Sequence, residues 1–186
     1  MSTVCGVKDL PPSDVSSDAV ESFFEVVIEI PSGTRTKYEV DSSTGTLWLD
    51  RVLSSSSPYP FSYGFLPASL SLDGDPLDAV VLCSEPLHPL THLFCRAVAV
   101  LNITDQSGPD EKLICVPISD PAFKDVVSLE TIPAASQDEI ETFFTSYKAT
   151  EPGKWVELNG WGDSHAAYDV LKLSRTRFHQ NLTPGT

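Results

Sequence analysis

Asp73-Gly74-Asp75-Pro76-Leu77-Asp78 sets three carboxylates within six residues, with Leu70 and Leu72 before it and Ala79-Val80-Val81-Leu82 after it. Extended backbone has a side-chain period of two, so Asp73 and Asp75 are expected on one side. Gly74 permits close backbone approach, and Pro76 fixes a turn able to swing Asp78 back toward the first two. Like charges this close repel unless a cation joins them or one is protonated. Oxygen-only ligands select hard cations, so Mg²⁺, Mn²⁺ or Ca²⁺ is the natural partner. A plain polar turn is the simpler reading, since Asp, Gly and Pro are turn residues. The flanking apolar runs, which read as strands, argue against it. An EF-hand fails on spacing: counting from Asp73, the positions that need Gly and Glu hold Asp78 and Ser84.

Outward from this cluster the chain reads as strands. Phe23 to Ile30 is one, with Glu29 between two isoleucines. Either a cavity or an exposed sheet edge accounts for that charge. Residues 37–40 and 46–52 read as a hairpin, with Lys37 and Glu39 on one face of its first strand. Strict alternation puts Trp48 and Asp50 on one face of the second strand and Arg51 on the other. Tyr59 to Phe65 is aromatic and β-prone, and a strand follows over 79–83. Leu93 to Thr104 and Lys112 to Ile118 are further strands. The acidic turn between them, Asp105 to Lys112, is by composition a hairpin loop. Helices come late. Ser136-Gln137-Asp138-Glu139 predicts a capping box, opening a helix with apolar face Ile140, Phe143, Phe144 and Tyr147 that ends at Pro152-Gly153. Lys148, in its last turn, would complement the helix dipole. Trp155 and Trp161 are expected in the core on a short extended link. Asp163 or Ser164 would cap a second helix with Ala166, Ala167, Val170, Leu171 and Phe178 facing inward. Strands first and helices appended predict a mainly β barrel with α elements, not an alternating β/α sheet.

At 186 residues and 41% hydrophobic content the chain fits one folded domain, 23–178, between an N-terminal arm, 1–22, and a C-terminal tail, 179–186. The formal charge of −14 comes from 12 basic and 26 acidic residues. Such a surface repels nucleic acid and anionic membrane, and no run of Lys or Arg offsets it. Cys5, Cys83, Cys95 and Cys115 form no C-x-x-C pair, and three of them sit in apolar segments, as reduced buried thiols would. There is no apolar run of membrane-spanning length and no secretory pattern, so cytoplasm is the expected address.

These residues together resemble the first family of soluble inorganic pyrophosphatases, in its short prokaryotic form. The acidic hexapeptide matches the family signature. The match continues in order through Val27-Ile28-Glu29-Ile30-Pro31, Lys37-Tyr38-Glu39, Asp50-Arg51, Tyr59-Pro60, Tyr63-Gly64, Thr104-Asp105, Asp110, Lys112, Tyr147-Lys148 and Gly153-Lys154-Trp155. It covers roughly residues 24–175. The resemblance implies a five-stranded OB-type closed β-barrel with two C-terminal α-helices, and Mg²⁺-dependent hydrolysis of pyrophosphate to two orthophosphates. Mn²⁺ or other divalent cations would substitute, and Ca²⁺ would inhibit. It implies that Asp73, Asp78 and Asp110 hold a first metal, that Asp78 is shared with a second, and that Asp105 and Asp110 hold one arriving with substrate. Glu29 and Glu39 would support these ions or bind another. Asp75 would accept the proton of a metal-activated water. Lys37, Arg51, Tyr63, Lys112, Tyr147 and Lys148 would hold the phosphates, with Tyr59 supporting the site. Elementary chemistry agrees, because an acidic site binds a polyanion only through metals that reverse the local sign. Arg51 suits bidentate phosphate contact, and the lysines act as point charges. Ala97-Val98-Ala99, Asn102, Thr142 and Ser146 depart from the family pattern. The last two stand where bacterial members often carry His at subunit contacts. A homohexamer is the expected assembly.

Three rival classes make different demands. A catalytically dead relative would have lost a carboxylate, and none is lost. An oligonucleotide-binding barrel needs a basic groove around Tyr59, Phe61, Tyr63 and Phe65. A structural Ca²⁺ module would have no use for Lys37, Arg51, Lys112 and Lys148.

Overall fold

The β-branched and apolar runs become eight strands in a computed structural model of the chain, which describes residues 23–41 and 43–182. They are β1 (Phe24–Ile30), β2 (Thr36–Asp41), β3 (Thr46–Val52), β4 (Ser62–Phe65), β5 (Asp78–Val81), β6 (His92–Asp105), β7 (Gly108–Pro117) and β8 (Val156–Gly162). Helix α1 spans Ala134–Ser146 and helix α2 spans Ser164–Leu182. The main sheet has the order β1-β4-β5-β7-β6-β8, and β1 pairs again with β6, so five strands are linked in a ring and β8 stands outside it. Hairpin β2-β3 is a separate two-stranded sheet. The chain is thus mainly β with two helices.

β6 explains the one strand that the sequence did not announce. At 14 residues it is long enough to serve two partners on one edge. β1 takes His92 to Cys95, and β8 takes Val100 to Asp105. The segment after Trp155 is therefore a ladder strand, because its backbone groups find β6. Trp155 stays 47% exposed, against the expectation of a core residue, while Trp161 is half-buried and its Nε1 donates to Glu141 Oε1 at 2.6 Å.

Both faces of the main sheet are covered, which is why its strands read as continuous apolar runs. One face packs Val80, Ile114 and Val116 against Ile140, Phe143 and Phe144 of α1. The other packs Ala79, Val81, Leu113 and Cys115 against Ala167 and Leu171 of α2. A β-bulge at Val98 lets β6 change phase, so that Ala97 joins the α2 side while Val98 and Ala99 join the α1 side. β4 crosses β1 so closely that a Cβ at Gly64 would lie 1.9 Å from the Val27 carbonyl oxygen. The thiols of Cys83, Cys95 and Cys115 are free, the last two fully buried.

Local helix signals were less faithful. Pro133, not Ser136, is the N-cap of α1, and its carbonyl accepts from the amides of Ser136 and Gln137 at 2.9 and 3.2 Å. Ser136 thus lies within the first turn. α1 ends at Ser146, well before Pro152-Gly153, and Lys148 leaves the helix altogether. Asp163 caps α2, accepting from the Ala166 amide at 2.9 Å. α2 runs through Leu182, so the tail expected from 179 is helical over its first four residues. The rest of that tail and the expected arm 1–22 lie outside the described residues. Among the described residues no helix is long and apolar enough to cross a membrane.

Candidate active site

The α1-facing side of the sheet changes character along its length. Ile114 and Val116 lie under the helix, while Asp110 and Lys112, four and two residues before Ile114 at the same parity, line a cavity of about 550 Å³. β5 repeats the pattern, with Val80 in the core and Asp78 in the cavity. The second acidic turn is therefore both things at once. It is a tight hairpin, Asp105 pairing with Gly108, and the carboxylates of Asp105 and Asp110 line the cavity.

Two bulges re-aim charges that alternation had misplaced. In β1, Ile28 pairs with Gly64 and Ile30 with Tyr63, leaving Glu29 as the extra residue. Glu29 and Ile30 both line the cavity as a result, which resolves the two readings of Glu29 in favour of the cavity. Its Oε1 accepts from the Val40 amide at 2.7 Å and ties hairpin β2-β3 to the main sheet. In β3, Lys37 pairs with Arg51 and Tyr38 with Leu49, so Asp50 is the extra residue. Asp50 and Arg51 then share the cavity side, against the strict alternation expected, and pair at 2.6 Å. Lys37 sits beside them, 3.1 Å from Asp50 and in contact with Glu39.

The hexapeptide is a turn and not an extended segment. The Asp73 carboxylate accepts from the Asp75 amide at 3.1 Å, Gly74 takes a φ of +97°, and Asp73, Asp75 and Asp78 still line one cavity. Across from them Lys148, expected at the helix dipole, reaches Asp105 at 2.6 Å, with both side chains largely buried. Lys112 is buried and contacts both Asp78 and Asp110. The rings of Tyr63 and Tyr147 lie 5.9 and 5.3 Å from the ammonium groups of Lys112 and Lys148. Tyr59 alone among the expected site residues lies behind the cavity, packed 4.5 Å from Phe143. Tyr59, Phe61 and Tyr63 are buried, so they offer no platform for stacking bases.

The electrostatics follow from crowding. Burial pushes Glu29 up to about 7, with Asp78 and Glu39 adding to it. Burial and Asp78 push Asp110 up to about 6, against the pull of Lys112. Burial, then Asp73 and Asp78, raises Asp75 above the usual carboxylate range. Burial opposes the charge on Lys112, yet Asp78 and Asp110 hold its pKa above the ordinary value. Asp105 and Asp50 run the other way, because burial is overcome by the hydrogen bond to Lys148 in the first and to Lys37 in the second, and both pKa values are lowered. Carboxylates held partly protonated by one another are what a cation relieves, and oxygen-only donors fit a hard divalent ion. Among the described residues no three Asp, Glu, His or Cys side chains are gathered into a ready metal cage. Asp50 and Lys154 also line the cavity but had been given no role. Their presence in Asp50-Arg51 and Gly153-Lys154-Trp155 was the available signal.

The inorganic pyrophosphatase family model matches residues 26–179. The chain is 41% identical over 169 residues to the inorganic pyrophosphatase of Aquifex pyrophilus, covering 90% of this chain and 93% of the relative. It is 45% identical to that of Leifsonia xyli subsp. xyli, covering 80% and 91%. The crystal structure of inorganic pyrophosphatase from Thermus thermophilus superposes with a TM-score of 0.84 at 38% identity, covering 92% of this chain and 98% of that one.

Proposed function

The chain belongs to the inorganic pyrophosphatase family, a divalent-metal-dependent hydrolase family, and we propose from that premise how its cavity acts on pyrophosphate. One observation carries the reading: a single cavity is lined by acids that crowd one another and by the lysines and arginine that lie among them. Asp73, Asp78, Asp105 and Asp110 would hold divalent ions, Mg²⁺ foremost, with Glu29 and Glu39 in support. Bound there, the ions supply the positive charge that admits a polyanion and acidify the attacking water. Lys37, Arg51, Tyr63, Lys112, Tyr147 and Lys148 orient the two phosphoryl groups, and Tyr59 braces the Tyr63 ring directly and the Tyr147 ring through Phe143. The water oxygen forms a bond to one phosphorus, the bridging P–O bond breaks, and Asp75 takes the water's proton. Charge grows on the departing phosphate, where buried Lys112 stabilises it best because little water competes. The hydroxyls of Tyr59 and Tyr63, pushed up by burial, stay protonated.

The same reading takes the ring β1-β4-β5-β7-β6 as a five-stranded OB-type closed barrel and residues 23–178 as one catalytic domain. It places the enzyme in the cytoplasm as a homohexamer. The exposed apolar side chains of Trp48, Leu49, Val52 and Trp155 support self-association. Equilibrium sedimentation at a sixfold protomer mass is the expected result, and a monomer removes that part of the reading.

The test is phosphate release from pyrophosphate with Mg²⁺, wild type against Asp75→Asn. Turnover by the wild type, reduced by roughly 10²- to 10⁴-fold in the variant, supports both activity and base. No release with any divalent ion sinks the enzyme reading. Undiminished activity in the variant moves the base elsewhere. Millimolar Ca²⁺ is expected to suppress the Mg²⁺-supported rate, because its looser coordination positions water poorly.

A further inference from the structure

Glu151 has no part in the reaction above, yet two separate pieces of the cavity wall meet on it. Its Oε1 accepts from Arg51 Nε at 3.2 Å, and its Oε2 pairs with Lys154 Nζ at 3.2 Å. The Glu151 side chain is only 17% exposed, less than either cation it holds. A second bond joins the same segments, Ser54 Oγ lying 2.5 Å from Thr150 Oγ1. Arg51 stands on the two-stranded hairpin, outside the main sheet, and Lys154 stands on the turn after α1. Asp50 engages Arg51 Nη1 and Glu151 engages Nε, so the guanidinium is held from two sides at the cavity wall.

We propose that Glu151 is a positioning residue for pyrophosphate binding. It clamps the guanidinium of Arg51 and the ammonium of Lys154 at a fixed separation, so that both cations meet the substrate already oriented. Pre-ordering two rotamer-rich side chains moves their entropy cost from the binding step to folding. Lowered by Lys154 and Arg51 against the effect of burial, the Glu151 carboxyl stays ionised across the working range. The inference rests on the pyrophosphatase reading.

The experiment measures kcat and KM for pyrophosphate with Mg²⁺ in Glu151→Gln and Glu151→Asp, each made in wild type and in Arg51→Lys. Calorimetric binding of methylenediphosphonate, whose P–C–P bridge resists hydrolysis, is read alongside. Glu151→Gln is expected to raise KM and the analogue Kd about three- to tenfold with kcat changed less than about twofold, the entropy of loosened side chains setting the size. Glu151→Asp recovers part of the loss. In the Arg51→Lys background, where no Nε edge remains, Glu151→Gln has a smaller effect. Equal losses in both backgrounds, an unchanged KM, or a fall in kcat alone overturns the positioning role. Loss of folded near-ultraviolet dichroism in both Glu151 variants overturns it as well, by making the residue structural. A wild type that hydrolyses no pyrophosphate fails the underlying reading instead, and that is read before any variant is made.

Discussion

The cavity has two unlike walls. The sheet wall, on β5 and β7, presents Asp78, Asp110 and Lys112 from a fully paired sheet, with the Lys112 side chain 5% exposed. The hairpin wall, on β2 and β3, presents Lys37, Glu39, Asp50 and Arg51 from two strands that pair only with each other, and Glu39 is 57% exposed there. Low local dielectric makes the charges of Asp110 and Lys112 expensive to leave unpaired, so both are perturbed and fixed in place. On the hairpin wall water screens the same kinds of pairs, and they act as adjustable contacts. One cavity therefore joins a rigid region suited to stabilising developing charge with a softer one suited to taking hold of the substrate.

That contrast breaks if both walls respond alike to the loss of a lysine. Lys112→Gln leaves Asp78 and Asp110 facing each other in the interior, and is expected to cost about 3–5 kcal/mol in urea unfolding with chelator present. Millimolar Mg²⁺ should recover much of the loss. A cost below about 1 kcal/mol would mean that water reaches the sheet wall freely.

The pH dependence sharpens the same point. Glu29 and Asp110 have folded-state pKa values of about 7 and about 6, above their ordinary values. Their contribution to stability is full below the ordinary carboxylate range and is lost as pH rises through about 6 and then about 7. In chelator, wild type should therefore lose about 2–3 kcal/mol more than Glu29→Gln between about pH 5.5 and about pH 8. Parallel stability curves for the two proteins would remove Glu29 from the crowded set.

Glu29 is also the strap between the walls, through the Val40 amide. Glu29→Ala should cost about 1–3 kcal/mol by orphaning that donor, whereas Glu29→Gln keeps an acceptor and costs less. Hydrogen exchange localised to Val40 is the check. Smallest of all, Lys37→Gln should change stability by less than about 1 kcal/mol while raising KM for pyrophosphate. If its effect on stability matched that of Lys112→Gln, the two walls would be one.

Much of this was legible from residue order. The strand runs, the late helices and the collection of acids with cations at intervals along the chain all follow from periodicity and chemistry. What misled was local. Alternation put Arg51 opposite Asp50 and left Glu29 ambiguous, because a bulge inserts one residue without any mark in composition. Ser136-Gln137-Asp138-Glu139 looked like a helix start, but the Pro133 carbonyl had already taken the amides in question. Lys148 looked like a partner for the helix dipole because its true partner, Asp105, lies 43 residues away in sequence.

Sequence alone determined most of the strand runs and the order of acids and cations along the chain, and hence the family. Side-chain periodicity and charge are properties of neighbours along the chain. Tertiary structure decided which wall each charge stands on, how deeply it is buried and so how far its pKa moves. It also decided that Asp50, Glu151 and Lys154 stand in one network with Arg51. Those depend on bulges, on an edge of β6 long enough for two partners, and on contacts a hundred residues apart in the chain, where no local pattern reaches.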